Sequence, residues 1–141
     1  TIQQMVALAV LMPIVASMGG NAGTQTMTVA VRALATHDLG PANALRVIWR
    51  ECAVGLLNGL LFAVIMAAIA IFWFGSDGLG LVIGVAMIVN LFAAALAGIL
   101  IPLGLDALEL DPAIASGVFV TTVTDVVGFF AFLGLAALWL A

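Results

Sequence analysis

The sequence predicts an all-α, polytopic membrane bundle with four transmembrane helices, and three observations carry that prediction. Hydrophobic residues fill 66% of the 141 positions, charged residues only 7%, and the mean hydropathy is +1.38; soluble domains carry roughly 25% charged residues. The apolar residues fall in four long runs, each at or beyond the roughly 20 residues that a helix needs to cross a bilayer. These runs are continuous rather than alternating, so each must satisfy its backbone groups within itself, as a helix does and an unpaired strand does not.

The first span is expected at 2–35, where an apolar stretch changes at Gly19 into the small, polar run GGNAGTQTMT. The loop THDLGPAN separates it from a second span at 44–74. GSDG, Gly75 to Gly78, predicts a tight turn. A third span follows at 79–105, and the acidic segment DALELDP leads into a fourth at 112–140. There Asp111 and Pro112 form a helix start, an acceptor at the cap followed by a residue whose φ suits the first turn.

Charge gives the orientation. Three arginines, Arg32, Arg46 and Arg50, flank the loop between the first two spans, and no lysine occurs. The positive-inside rule therefore places that loop in the cytoplasm, GSDG outside and DALELDP inside. Trp49 then falls at the inner interface, and Trp73 and Trp139 at the outer one, where amphipathic rings settle. With both chain ends outside and Thr1 leading, the chain is expected to be a fragment of a longer protein, a single membrane domain over 1–141 that lacks a preceding helix. Seven carboxylates against three arginines give a net charge of -4, which suits a cation as partner and not nucleic acid.

Asp125 is the most telling residue, a carboxylate in the middle of the fourth span. An ionised Asp at the bilayer centre costs about 2.5–3.5 kcal/mol on insertion scales, so such a residue marks an ion or proton path. Thr121, Thr122 and Thr124 lie beside it, Thr121 one helical turn away on the same face. In the first span Asn21, Thr24, Gln25, Thr26 and Thr28 are interleaved with glycines, more polarity than packing demands and suited to lining a wet path. Glycines four apart recur at 19 and 23, 55 and 59, and 80 and 84; the last two pairs are expected to serve packing between helices of one chain. Interhelical hydrogen bonds account for Asn58 and Asn90, packing for the single cysteine, Cys52, and His37 and Asp38 read as loop residues.

GGNAGTQ late in one span, TTVTDVVGFF in a later one and DPAIASG between them resemble the transmembrane domain of the MgtE magnesium channels and transporters. The resemblance covers essentially the whole chain and matches the second to fifth of that family's five membrane helices. It implies a homodimer in the bacterial inner membrane, with an ion pore at or near the two-fold axis lined by the first and last spans. It implies that Asp125 holds a hydrated Mg²⁺, the transported and bound ion, with Gly20, Thr24 and Thr121 around it and Asn21, Gly23 and Thr122 along the pore. Asp111 corresponds to an acidic residue at the cytosolic mouth, where Asp106 and Glu109 would join it. Two positions depart from the best-known pattern, Thr24 where some members have Asn and Thr121 where some have Ala. The family's cytosolic regulatory domains have no counterpart in this chain.

The chemistry suits these residues. Mg²⁺ gives up its water reluctantly and is usually held by one or two carboxylates with several waters retained. Two Asp125 side chains, one from each subunit, would match its charge. Two other classes compete: a proton-coupled divalent cation carrier using Asp125 as an exchangeable site, although no repeat of the GGN or TDVVG segments marks inverted halves, and a structural membrane subunit, which gives no reason to bury Asp125. No nucleophile and base pair, phosphate loop or HExxH sequence occurs, so no enzyme is expected.

Overall fold

A computed structural model describes residues 2–37, 39–40, 42–75 and 77–139. Asp38, Ser76 and the Leu140 end of the fourth span lie outside the described residues. Four helices account for nearly all the rest: α1 (Ile2–Ala35), α2 (Ala44–Phe74), α3 (Asp77–Ala107) and α4 (Pro112–Trp139). All four are long and apolar enough to cross a membrane.

The connections follow local chemistry. α2 ends at Gly75, whose φ of 67° lets its N–H turn back onto the Ile71 carbonyl at 2.8 Å; this left-handed position suits glycine because it has no Cβ. The expected four-residue turn is shorter than GSDG, because Asp77 and Gly78 already belong to α3. A carboxylate in the first turn of a helix is favoured by the exposed N–H groups there, so α3 begins two residues before its apolar run. At its other end α3 continues to Ala107, and Glu109 takes the left-handed conformation (φ 62°) that lets the chain reverse. Asp111 Oδ1 accepts the Ala113 N–H at 3.0 Å, the helix start expected from Asp111 and Pro112.

α3 is the hub. It packs against α1, α2 and α4, α1 also packs on α4, and α1 and α2 share little contact. The main core joins Leu11 and Val15 of α1, Ala63 and Ala70 of α2, Val82, Ile83, Met87 and Leu91 of α3 and Phe132 of α4. A second cluster, Ala30, Leu39 and Ile99 with Leu34, Val47 and Leu103 around them, ties the α1–α2 loop to the end of α3. Because α1 and α2 converge on this loop and little elsewhere, a cleft opens between them deeper in the bundle. Leu57, Leu60, Leu61, Val64 and Phe72 on α2 face outward, as lipid-facing residues do. Trp49, Trp73 and Trp139 are all exposed near helix ends, where the sequence places them.

Small residues set the helix spacing. Gly55 lies against Ala95 and the Leu91 carbonyl, and Gly59 against Ile88. Gly80 packs on Ile71 and Gly84 on Ala63 and Ala67. These are the intrachain contacts expected of the two pairs. Asn90, fully buried on α3, wedges between Gly19 of α1 and Gly128 of α4, and its Nδ2 donates to the Val15 carbonyl at 2.9 Å. This is the interhelical bond expected of Asn90. Its Oδ1 is buried without a partner among the described residues. Asn58, by contrast, is exposed along the cleft between α1 and α2.

Candidate functional site: the α1–α4 seam

α1 and α4 run side by side with their polar segments level. At 1.5 Å per residue, Gly20 lies roughly 22 Å from the loop end of α1 and Asp125 roughly 20 Å from the start of α4, and both of those ends lie on the side of the bundle carrying the arginine-flanked loop. The helices meet through Gly20 and Gly23. A Cβ at Gly23 would come to 2.7 Å from Val120 Cγ1 and 3.4 Å from Thr124 Cγ2, and one at Gly20 to 3.8 Å from Thr124 Oγ1. Gly23, expected along the pore, is therefore buried in the seam, with Val120 filling the space before it. Gly20 is half-buried beside Thr124.

The helix phase of α4 sorts its threonines. Thr124 is fully buried against α1, with its hydroxyl donating to the Thr121 carbonyl at 3.0 Å. Thr121 and Thr122 are exposed and Asp125 is half-buried. On α1, Asn21, Thr24, Gln25 and Thr28 are exposed, and Thr26 is half-buried on the flank toward α3. The outer surface of the seam is thus a polar strip at mid-depth of two apolar helices. Lipid is a poor neighbour for it: a carboxylate or amide in hydrocarbon without partners costs several kcal/mol.

The threonine hydroxyls have a definite polarity. Thr24 Oγ1 donates to the Gly20 carbonyl, Thr28 Oγ1 to the Thr24 carbonyl and Thr122 Oγ1 to the Val118 carbonyl, each at 2.8 Å. A hydroxyl has one donor and two acceptor lone pairs. With each proton held by the helix's own backbone, the oxygens present only acceptors outward, in line with the carboxylate of Asp125. Such a surface matches a hydrated cation, whose waters point their protons outward. The Thr121 carbonyl, already taking the Thr124 hydroxyl as well as its helical partner, has little left to offer, while the Thr121 side chain is exposed.

At the loop after α3, Asp106, Glu109 and Asp111 are all exposed. Asp111 is occupied in capping α4, and Glu109 shapes the turn. Glu51 is a polar group of the bundle that the sequence does not single out. It is half-buried on α2 and lines a cavity of about 190 Å³ with Gln25, Thr26 and Asn58. Its place beside Arg50 makes it look like an ordinary interfacial charge, and no local pattern in the sequence sets it apart.

Comparison with known proteins places the chain in a family. The family model for MgtE, described as a divalent cation transporter, matches residues 12–135. The chain is 36% identical over 135 residues to the magnesium transporter MgtE of Bacillus subtilis (96% of the chain, 30% of the relative). It is 38% identical over 133 residues to that of Enterococcus faecalis (94% and 29%). It is 37% identical over 139 residues to that of Thermus thermophilus (99% and 31%). The chain thus spans about 30% of the length of these relatives. A family match running from the middle of α1 nearly to the end of α4, over four membrane-spanning helices, shows that this chain is a multi-pass membrane domain belonging to the MgtE family.

Proposed function

We propose that this chain forms the pore of a magnesium channel or transporter of the bacterial inner membrane. Two copies meet about a two-fold axis with their α1–α4 seams facing, and hydrated Mg²⁺ passes between them. The observation that carries the reading is the outward polar strip, Asp125 with the acceptor hydroxyls of Thr24 and Thr122 and the exposed Thr121, at mid-depth of helices otherwise fit for lipid. A second copy supplies what the strip lacks: an opposing carboxylate, a matching set of acceptors, and shielding from hydrocarbon.

The ion keeps its waters. Among the described residues no three His, Cys, Asp or Glu side chains come together, so one protomer offers no cage to replace a hydration shell. Two Asp125 carboxylates give a charge of -2 to a +2 ion, while the side chains of Thr24, Asn21, Thr121 and Thr122 receive the protons of its waters and Gly20, with no side chain, leaves room for them. Mg²⁺ tolerates this arrangement because it is commonly held through one or two carboxylates with water completing the octahedron. Few direct ligands also allow release, which conduction requires. Asp106, Glu109 and Asp111 would collect cations at the cytosolic mouth, where regulatory parts of the full-length protein would act.

Reconstituted flux tests the proposal. Full-length protein in liposomes should pass Mg²⁺ down its gradient with no proton gradient imposed. A strict requirement for a proton gradient would establish a coupled carrier instead, and absence of flux under both conditions would leave only a structural role.

A further inference from the structure

Glu51 is the second carboxylate held within the membrane-spanning part of the bundle, and the proposed pore does not use it. It lies on α2 two turns in from the helix start, with its side chain 14% exposed, whereas the neighbouring Arg50 side chain is 64% exposed. Gln25 and Thr26 of α1 and Asn58 of α2 line the same cavity, with Val54, Gly55, Leu91 and Ala95 as its apolar floor. The cavity exists because α1 and α2 converge at Leu39 and Val47 and then separate, while Gly55 lets α2 approach α3 closely behind it.

We propose that this cavity is a second divalent-cation site, separate from Asp125 and lying toward the arginine-flanked end of the bundle. Three features carry the assignment. The polar groups are one carboxylate, two side-chain amides and a hydroxyl, the hard oxygen donors that Mg²⁺ and Mn²⁺ prefer. A cavity of about 190 Å³ has room for several waters, so the ion enters hydrated. The carboxylate is paired only loosely, with Arg50 Nε 3.6 Å from Glu51 Oε1, beyond hydrogen-bond length. Arg50 is the sole basic partner of Glu51 among the described residues, and its exposure lets it swing out to water when a cation arrives. In this scheme the guanidinium occupies the carboxylate when the site is empty and yields it when the site is filled. The site does not depend on the pore reading, since none of Asp125, Thr24 and Gly20 lines its cavity.

Mn²⁺ binding to the full-length protein in nanodiscs, counted by electron paramagnetic resonance, tests the site in an Asp125→Asn background, so that the pore carboxylate does not contribute. Glu51→Gln should weaken one site per chain by about tenfold or more, the loss expected when a charged partner becomes neutral. Arg50→Gln should tighten the same site by about two- to fivefold, the competition from one exposed ion pair. Mg²⁺ added to saturation should displace the bound Mn²⁺. Should Glu51→Gln fail to fold, the Arg50→Gln arm decides alone. Mn²⁺ binding left unchanged by Arg50→Gln, or by a folded Glu51→Gln, overturns the proposal. Neither outcome bears on Asp125, whose own test is flux.

Discussion

Replacing Asp125 with Asn in the full-length protein is expected to abolish measurable Mg²⁺ flux and to lower Mg²⁺ affinity by on the order of 100-fold or more. The magnitude follows from symmetry. Each pore would lose two charged acceptors at once, and a hydrogen bond to a charged group contributes about 1.5–3 kcal/mol. Asn keeps the shape of Asp and its ability to accept one hydrogen bond, so the fold should survive. Removing a half-buried charge from a membrane helix should leave thermal stability unchanged or raise it. Flux and isothermal titration with Mg²⁺, set beside a melting curve in detergent, check the prediction. Wild-type affinity in a folded Asp125→Asn protein would remove Asp125 from the ion path.

Gly98→Ala should destabilise the bundle by about 1–3 kcal/mol, the usual cost of forcing a methyl group into a packed interior. A Cβ at Gly98 would stand 2.7 Å from Thr26 Cβ and 2.9 Å from the Gly23 carbonyl oxygen. The carbonyl belongs to a helix backbone and has no rotamer to escape into, so α1 as a whole must move from α3. Since α1 carries Gly20 and Thr24, flux should fall further than the amount of folded protein does. Gly104→Ala is the control. No atom lies within 4 Å of its added Cβ, so the change should be neutral or stabilise by about 0.5–1 kcal/mol through the reduced entropy of the unfolded chain. Chemical denaturation of both variants in mild detergent distinguishes them; equal stability would mean that the α1–α3 approach is looser than the geometry requires.

Much of this architecture was legible in the sequence because membrane helices are punctuated by strong local signals. The first two spans begin and end where the apolar runs do, Gly75 ends α2 in the left-handed conformation, and Asp111 with Pro112 starts α4. The two extra residues at each end of α3 were not legible from hydropathy, because Asp77, Gly78, Asp106 and Ala107 are held by helix-end electrostatics and continued hydrogen bonding and not by apolar character. Rotation of each helix about its axis was the larger gap. In α4 both the core face and the lipid face are apolar, so periodicity does not say which of three adjacent threonines points inward. Packing decides it: Thr124 fits against Gly20 and Gly23, leaving Thr121 and Thr122 outside. The same packing covers Gly23, which by sequence alone shares the polar character of its neighbours. The sequence does not mark Glu51 for a related reason, since its cavity comes from the divergence of α1 and α2, a tertiary feature that no local pattern encodes.

On the proposed function, the α1–α4 seam is how a 141-residue chain with few charges would handle a divalent ion. α1 and α4 place acceptors at one depth, α3 fixes their spacing through Asn90, Gly98 and the small residues around them, and α2 closes the far side of α3 while leaving the cleft beside Glu51. On this account the polar strip is tolerable in the membrane only when another copy covers it. The most direct measurement is therefore a structure of the full-length protein in a bilayer mimic with Mn²⁺ in place of Mg²⁺, located by its anomalous scattering. The account predicts a peak on the two-fold axis between the two Asp125 carboxylates, level with Gly20 and Thr24. A dimer whose Asp125 residues face lipid or lie far apart, with no metal between them, would contradict it.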